Sequence, residues 1–219
     1  MWFAGPARRI PAAGRPEALR LGFTLARGMR VGLYGGSFNP AHEGHAHVAE
    51  TARRRLGLDR VIWLVSPQNP LKSAHETASL AERMTGARAM AKGRNMIVSD
   101  AETLIGTQYT LDTLERLKGR FPGVKFVWIM GADSLANFHK WRGWTQIMAR
   151  IPVAVVSRPW ISLKSRSAPA ARRFAAARLP YDAARGLPRR KAPAWVFLHG
   201  PLNFQSSTAL RERMGKTRS

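Results

Sequence analysis

Residues 31–47 read Val-Gly-Leu-Tyr-Gly-Gly-Ser-Phe-Asn-Pro-Ala-His-Glu-Gly-His-Ala-His. The run opens with four residues, Val31 to Tyr34, of strand type. Gly35 and Gly36 follow as an expected turn, and His42 and His45 then stand three residues apart. After them the apolar spacing turns helical: Val48 or Ala49, Ala52, Leu56. The stretch therefore predicts a strand, a glycine turn and a helix start. In a parallel α/β sheet such a corner lies at the carboxyl end of a strand, where ligands bind. Glycines admit main-chain N–H groups close to a phosphate, and a helix N-terminus adds a positive dipole end. Both histidines fall in the first turn and are expected to face one ligand. Taken singly, a glycine pair is usually a tight turn, and a histidine at a helix start is usually a cap or a solvated side chain. Their joint occurrence points to a site.

Working outward, the rest of the chain alternates strands and helices. Strands are expected over 60–65, 95–99, 124–130, 151–156 and 195–198. Helices are expected from the capping box at Ser79–Glu82 to Gly93, and over 110–117, 133–139, 144–149 and 206–214. This alternation predicts an α/β fold with a doubly wound parallel sheet. Residues 1–28, with scattered Pro, Gly and Arg, read as a loose basic extension, so that one domain spans 29–214 and 215–219 form a tail. Residues 158–193, rich in Arg, Ala and Pro, read as a basic excursion from that domain with a helical patch at 170–178.

Composition narrows the function. With 219 residues and 45% hydrophobic content, the chain can bury one sizeable core. It has no cysteine, which excludes disulfides, thiol nucleophiles and thiolate metal sites. No run approaches the roughly 18 apolar residues of a membrane span, and the N-terminus has no continuous apolar stretch of secretory type. A cytoplasmic protein is expected, although an Arg-rich, acid-poor N-terminus is also the composition of a transit peptide. The net charge is +23, of which 158–191 carries +9 and 31–157 only +6. Such an excess attracts nucleotides and phosphates as well as nucleic acid. The patterns of a dedicated nucleic-acid binder are missing, so no specific nucleic acid is expected as a partner. The oligomeric state, including a homo-oligomer, is left open.

Four further segments carry candidate residues. Gly131-Ala132-Asp133 follows the 124–130 strand, where an acid can bond a ribose or simply cap a helix. Gln205-Ser206-Ser207-Thr208-Ala209-Leu210-Arg211 opens the last expected helix, where hydroxyls, N–H groups and an arginine suit a phosphate, or where a serine merely caps. Pro67 to Lys72 follows the 60–65 strand, with Asn69 and a lysine that either reaches phosphate or stays solvated. Tyr109-Thr110 opens a helix that Thr110 could cap, and Trp141 and Trp144 lie in a polar loop where one ring face can stack on a heterocycle.

The corner Gly35-Gly36-Ser37-Phe38-Asn39-Pro40-x-His42-x-Gly44-His45 resembles the signature of the nucleotidyltransferase superfamily. With the other four segments in the same order over roughly residues 30–214, the resemblance narrows to the bacterial nicotinate-nucleotide adenylyltransferases. Two departures stand out: Gln205 where isoleucine is usual, and a short proline loop around Asn69 and Lys72. The resemblance implies a Rossmann-like fold and transfer of the adenylyl group of ATP to nicotinate mononucleotide, releasing pyrophosphate. It implies catalytic roles for His42, His45, Lys72 and Arg211 on the phosphates. It places Gly35, Gly36, Ser37, Phe38, Gly131, Asp133, Ser206, Ser207 and Thr208 with ATP. Asn69, Lys72, Tyr109, Thr110 and Trp141 fall to nicotinate mononucleotide. Mg²⁺ is expected to ride on the ATP phosphates with no protein ligand assigned. The alternatives are an adenylyltransferase for nicotinamide mononucleotide or phosphopantetheine, or a basic nucleic-acid-binding protein on the same scaffold. Phosphopantetheine enzymes usually carry threonine where His42 stands.

Overall fold

The computed structural model describes residues 21–67, 78–157 and 167–199. Seven strands run in chain order as β1 (Arg30–Gly36), β2 (Arg60–Val65), β3 (Met96–Ser99), β4 (Lys125–Gly131), β5 (Val153–Val156), β6 (Arg178–Leu179) and β7 (Trp195–Leu198). They form one sheet in the order β3-β2-β1-β4-β5-β7-β6, and every pairing is parallel. The α-helices are α1 (Glu43–Leu56), α2 (Leu80–Met90), α3 (Ala101–Leu104), α4 (Thr110–Arg120), α5 (Ala132–Asn137), α6 (Trp144–Arg150) and α7 (Pro169–Arg173).

Because successive strand residues point to opposite faces, the apolar strands build two cores. Leu33, Ile62, Leu64, Trp128, Met130, Val155 and Phe197 point to one face, beneath Leu114, Leu117, Leu135 and Ile147 of α4–α6. Val61, Trp63, Val65, Val127, Ile129 and Val196 point to the other, beneath Val48, Ala49, Ala52 and Leu56 of α1 and Met84 and Ala87 of α2. Burial on both faces is why the strands read as continuous apolar runs rather than alternating ones. The winding reverses between β1 and β4, so their carboxyl ends diverge there and leave a crevice.

Three expectations need correction. Residues 21–28 are not loose. Leu21 is 2% exposed and joins the core with Leu25, Phe23 rests on Phe121 with ring centroids 5.8 Å apart, and the Ser99 hydroxyl donates to the Leu21 carbonyl at 2.7 Å. Three apolar residues at spacings of two were too few to show as a pattern, and residues 1–20 lie outside the described ones. The 158–193 segment is no excursion where it is described: it supplies α7 and the edge strand β6, and buries Ala168, Ala170, Ala184 and Leu187. Its alanines, small enough to pack closely, hid that burial among the arginines. The third correction is the glycine turn. Gly35 and Gly36 are the last two residues of β1, paired with Leu64 and Val65 of β2, and neither adopts a positive φ.

Candidate active site

The corner after β1 is built by the end of the strand, a six-residue loop and the first turn of α1. A Cβ on Gly35 would lie 2.4 Å from the Trp128 ring, and one on Gly36 would lie 3.1 Å from the Phe38 ring. These glycines are therefore required by two aromatic side chains that pack across the strand end. Phe38 turns the chain with φ +48°, a region that bulky residues rarely enter and that costs of order 1–3 kcal/mol. Its ring is 2% exposed, with Tyr34 edge-on at 5.4 Å and Trp63 tilted by 30° against it at 5.1 Å. The Phe38 ring is thus a floor, and it offers a ligand only its main chain.

His42 and His45 stand on that floor. His42 is the N-cap of α1, and its Nδ1 accepts from the Gly44 N–H at 3.0 Å. The Nδ1 of His45 accepts from the His42 N–H at 3.3 Å, closing a reciprocal cap. The rings lie 3.9 Å apart, and His45 rests edge-on against Phe38 at 5.1 Å. An imidazole nitrogen that accepts carries no hydrogen, so each neutral ring carries its proton on Nε2. Local capping thus sets the tautomer of both neutral side chains, with the proton on Nε2, and the Nε2 of His42 is itself buried. His42 is 3% exposed, while His45 is half-buried.

Across the crevice, β4 ends at Gly131, which is the N-cap of α5 without a side-chain cap bond. Asp133 is the second residue of α5, so the plain N-cap reading is wrong, and its side chain is half-buried. Tyr109, rather than Thr110, is the N-cap of α4, also without a side-chain cap bond. Thr110 is the first helical residue, and the first-turn N–H groups there have no intrahelical partner. The Trp141 loop docks on this helix start. Arg142 lies over the Tyr109 ring at 4.6 Å, and a Cβ on Gly143, whose φ is +65°, would strike Leu111 at 2.7 Å. Trp141 is half-buried, edge-on to Phe138 at 5.3 Å and to Trp128 at 6.3 Å. Trp128 in turn underlies Gly35, so one chain of ring contacts links the tryptophan loop to the end of β1.

The structure therefore brings Gly35, Gly36, Ser37, Phe38, His42, His45, Tyr109, Thr110, Gly131, Asp133 and Trp141 to the carboxyl ends of β1 and β4 and the adjacent α4 start. Asn69, Lys72, Ser206, Ser207, Thr208 and Arg211 lie outside the described residues. Among the described residues no cluster of three or more His, Asp or Glu side chains could hold a metal ion, and no helix is long and apolar enough to cross a membrane.

Two buried ionisable groups escaped the sequence reading. Arg83 is 3% exposed, with no carboxylate partner among the described residues; its guanidinium donates to four main-chain carbonyls. Burial pushes its pKa below the usual arginine value, and an arginine remains a cation even so. The signal was its phase: Leu80, Arg83 or Met84, and Ala87 share the apolar spacing of α2. Glu102 is 4% exposed, and burial raises its pKa to about 7 against an opposing hydrogen bond from Thr113. The Thr113 hydroxyl lies 3.2 Å from Glu102 Oε1, 3.2 Å from the Tyr109 carbonyl and 2.9 Å from the Thr107 hydroxyl. This polar cluster backs the first turn of α4.

A parallel sheet with this crevice and histidine corner defines a Rossmann-like nucleotidyltransferase, and the family model described as cytidylyltransferase-like matches residues 33–213. The chain is 73% identical over 188 residues to the "Probable nicotinate-nucleotide adenylyltransferase" of a Caulobacter species, covering 86% of this chain and all of that one. It is 56% identical over 185 residues to a protein of the same name from Methylorubrum extorquens, covering 84% of this chain and all of that one. The chain belongs to the nicotinate-nucleotide adenylyltransferase family. The fold is also that of the Plasmodium falciparum nicotinic acid mononucleotide adenylyltransferase complexed with NaAD, with a TM-score of 0.62 at 15% identity over 84% of this chain and 83% of that one.

Proposed function

We propose that this chain transfers the adenylyl group of ATP to nicotinate mononucleotide, forming nicotinate adenine dinucleotide and pyrophosphate for NAD biosynthesis in the cytoplasm. One observation carries the chemistry: at the crevice between β1 and β4 the caps of α1 use the Nδ1 of both His42 and His45, so that each neutral ring holds its proton on Nε2. A phosphate oxygen of the mononucleotide attacks the α-phosphorus of ATP, the bond from that phosphorus to the β-bridging oxygen breaks, and pyrophosphate leaves. The nucleophile is already anionic, so no strong base is needed. Catalysis is positioning plus stabilisation of charge on the phosphoryl oxygens. His42 and His45 donate to the ATP phosphates. The main chain at Gly35, Gly36, Ser37 and Phe38 lines the α-phosphate, and Asp133, two residues after Gly131, takes the adenosine ribose.

The acceptor's pyridine ring lies on Trp141, and its carboxylate accepts from the N–H groups at the Tyr109–Thr110 start of α4. A carboxylate only accepts, whereas the amide of nicotinamide would also bring donors to donors. By the family resemblance, Asn69 and Lys72 join the acceptor side, and Ser206, Ser207, Thr208 and Arg211 the ATP side. Mg²⁺ would be held mainly by oxygens of the bound triphosphate and by water, where it would neutralise phosphate charge, since no cluster of three or more His, Asp or Glu among the described residues could hold it. The test is pyrophosphate release from ATP with each mononucleotide in turn. We expect clear preference in kcat/KM for nicotinate mononucleotide. Equal use of nicotinamide mononucleotide would remove the acceptor assignment. No release with any acceptor, together with salt-sensitive nucleic-acid binding, would favour a binding protein instead.

A further inference from the structure

Arg83 sits at the fourth position of α2, whose start is closed by a reciprocal cap between Ser79 and Glu82. Its Nη1 donates to the Ser37 carbonyl at 2.9 Å and to the Ser66 carbonyl at 2.7 Å. Its Nη2 donates to the Pro67 carbonyl at 2.8 Å, and its Nε to the Ala78 carbonyl at 2.9 Å. One planar cation thus ties three points of the main chain that are remote in sequence: the loop after β1, the exit of β2, and the entry to α2.

This is an unusual use of a charge. A buried cation such as Arg83, which has no carboxylate partner among the described residues, is costly unless its N–H groups are all directed at good acceptors. If Arg83 served packing alone, an apolar side chain in phase with Leu80 and Ala87 would do the work without that cost. What an apolar side chain cannot do is hold four carbonyls at set positions. Supporting contacts run the same way. The Ser66 N–H donates to the Gly36 carbonyl at 3.0 Å, and the Ala78 N–H donates to Asn39 Oδ1 at 3.3 Å. The exits of β1 and β2 and the start of α2 are therefore locked to one another around one guanidinium.

Resting on the reaction read above, we infer that Arg83 is a positioning residue for adenylyl transfer: its fork fixes the Ser37 main chain, on the ATP side, against the β2 exit. In-line transfer depends on such alignment, and a misplacement of about 1 Å can cost about 100-fold. Lysine at this position keeps the charge but cannot reproduce a planar fork to four carbonyls.

The experiment compares wild type, Arg83→Lys and Arg83→Met, with far-UV circular dichroism and thermal melting beside steady-state kinetics run well below each melting temperature. The acceptor is whichever mononucleotide the wild type uses, so a wrong acceptor assignment shows in the wild type alone. We expect Arg83→Lys to fold and its kcat to fall about 10- to 100-fold, while the KM for each substrate moves by less than about threefold. That split marks an arrangement needed in the transition state rather than in substrate binding. We expect Arg83→Met to lose at least as much kcat per folded molecule. A lower melting temperature with kcat per folded molecule unchanged in Arg83→Lys would overturn the inference and leave Arg83 as a fold residue. So would failure of Arg83→Lys to fold with ATP present.

Discussion

Arg83 and Glu102 are both almost fully buried, one behind the exits of β1 and β2, the other behind the first turn of α4. Their surroundings answer the same desolvation in opposite ways. Arg83 cannot give up its proton, so the fold surrounds it with four carbonyl oxygens. Glu102 can become neutral, and among the described residues it is given hydroxyls and no cation: Thr113 donates to it and Thr107 lies behind Thr113. The charged group ties down the side of the site that the proposed reaction gives to the phosphates. The neutralisable group backs the side where an acceptor carboxylate would lie, and there a fixed negative charge would repel the ligand.

The largest effect should come from starting the chain at Met29. That deletes Leu21 and Leu25 from the core on the Glu102 side, at about 2–5 kcal/mol for each buried leucine. Urea unfolding should show the loss, and unchanged stability would mean that this side needs no cover from residues 21–28. Next, Arg83→Met strips the donor from four part-buried carbonyls and should cost about 3–5 kcal/mol in the same measurement, at about 1–3 kcal/mol for each polar group left without its partner. A cost below about 1 kcal/mol would make the charge dispensable and end the contrast. On the phosphate side, His45→Ala should lower kcat about 10²–10³-fold, the effect of losing one transition-state donor. It should also cost about 1 kcal/mol of stability, because the His45 ring caps the His42 N–H.

Glu102→Gln tests the other half of the comparison by its pH dependence. The native pKa, raised to about 7 by burial, lies above the ordinary 4.5, so the native state holds a proton that the unfolded chain has released. Stability therefore falls as pH rises from 4.5 to about 7, and the gap is worth about 3 kcal/mol at 1.36 kcal/mol per pH unit. Glutamine removes that loss. The melting temperature of Glu102→Gln should match wild type near pH 4.5 and exceed it at pH 8. Parallel curves would mean that Glu102 stays charged when buried. The smallest effect belongs to Trp141→Ala, which should weaken use of nicotinate mononucleotide by about 1–3 kcal/mol in kcat/KM, the scale of lost stacking. ATP binding should hardly change; an equal loss for both substrates would show that the ring supports the site without touching the acceptor.

By itself the sequence determined the parts that are local. Strand and helix periods, the Ser79–Glu82 cap, and the run from Val31 to His47 are set by neighbours within a few residues. They were enough for a doubly wound sheet with a histidine corner at a strand end, and their order was enough for the family. The tertiary structure decided what depends on residues far apart in the chain. Gly35 is small because Trp128 packs over it, Leu21 is core because Ser99 and the sheet receive it, and β6 exists because β7 offers an edge. The same holds for charge. Arg83 and Glu102 look in the sequence like two more solvated residues of a basic protein. Only the convergence of carbonyls from Ser37, Ser66, Pro67 and Ala78, and of hydroxyls from Thr107 and Thr113, shows why one stays ionised and the other is pushed toward neutrality. Spacing along a chain encodes which face a side chain takes, but the solvation of a buried charge is set by main chain brought together from distant segments.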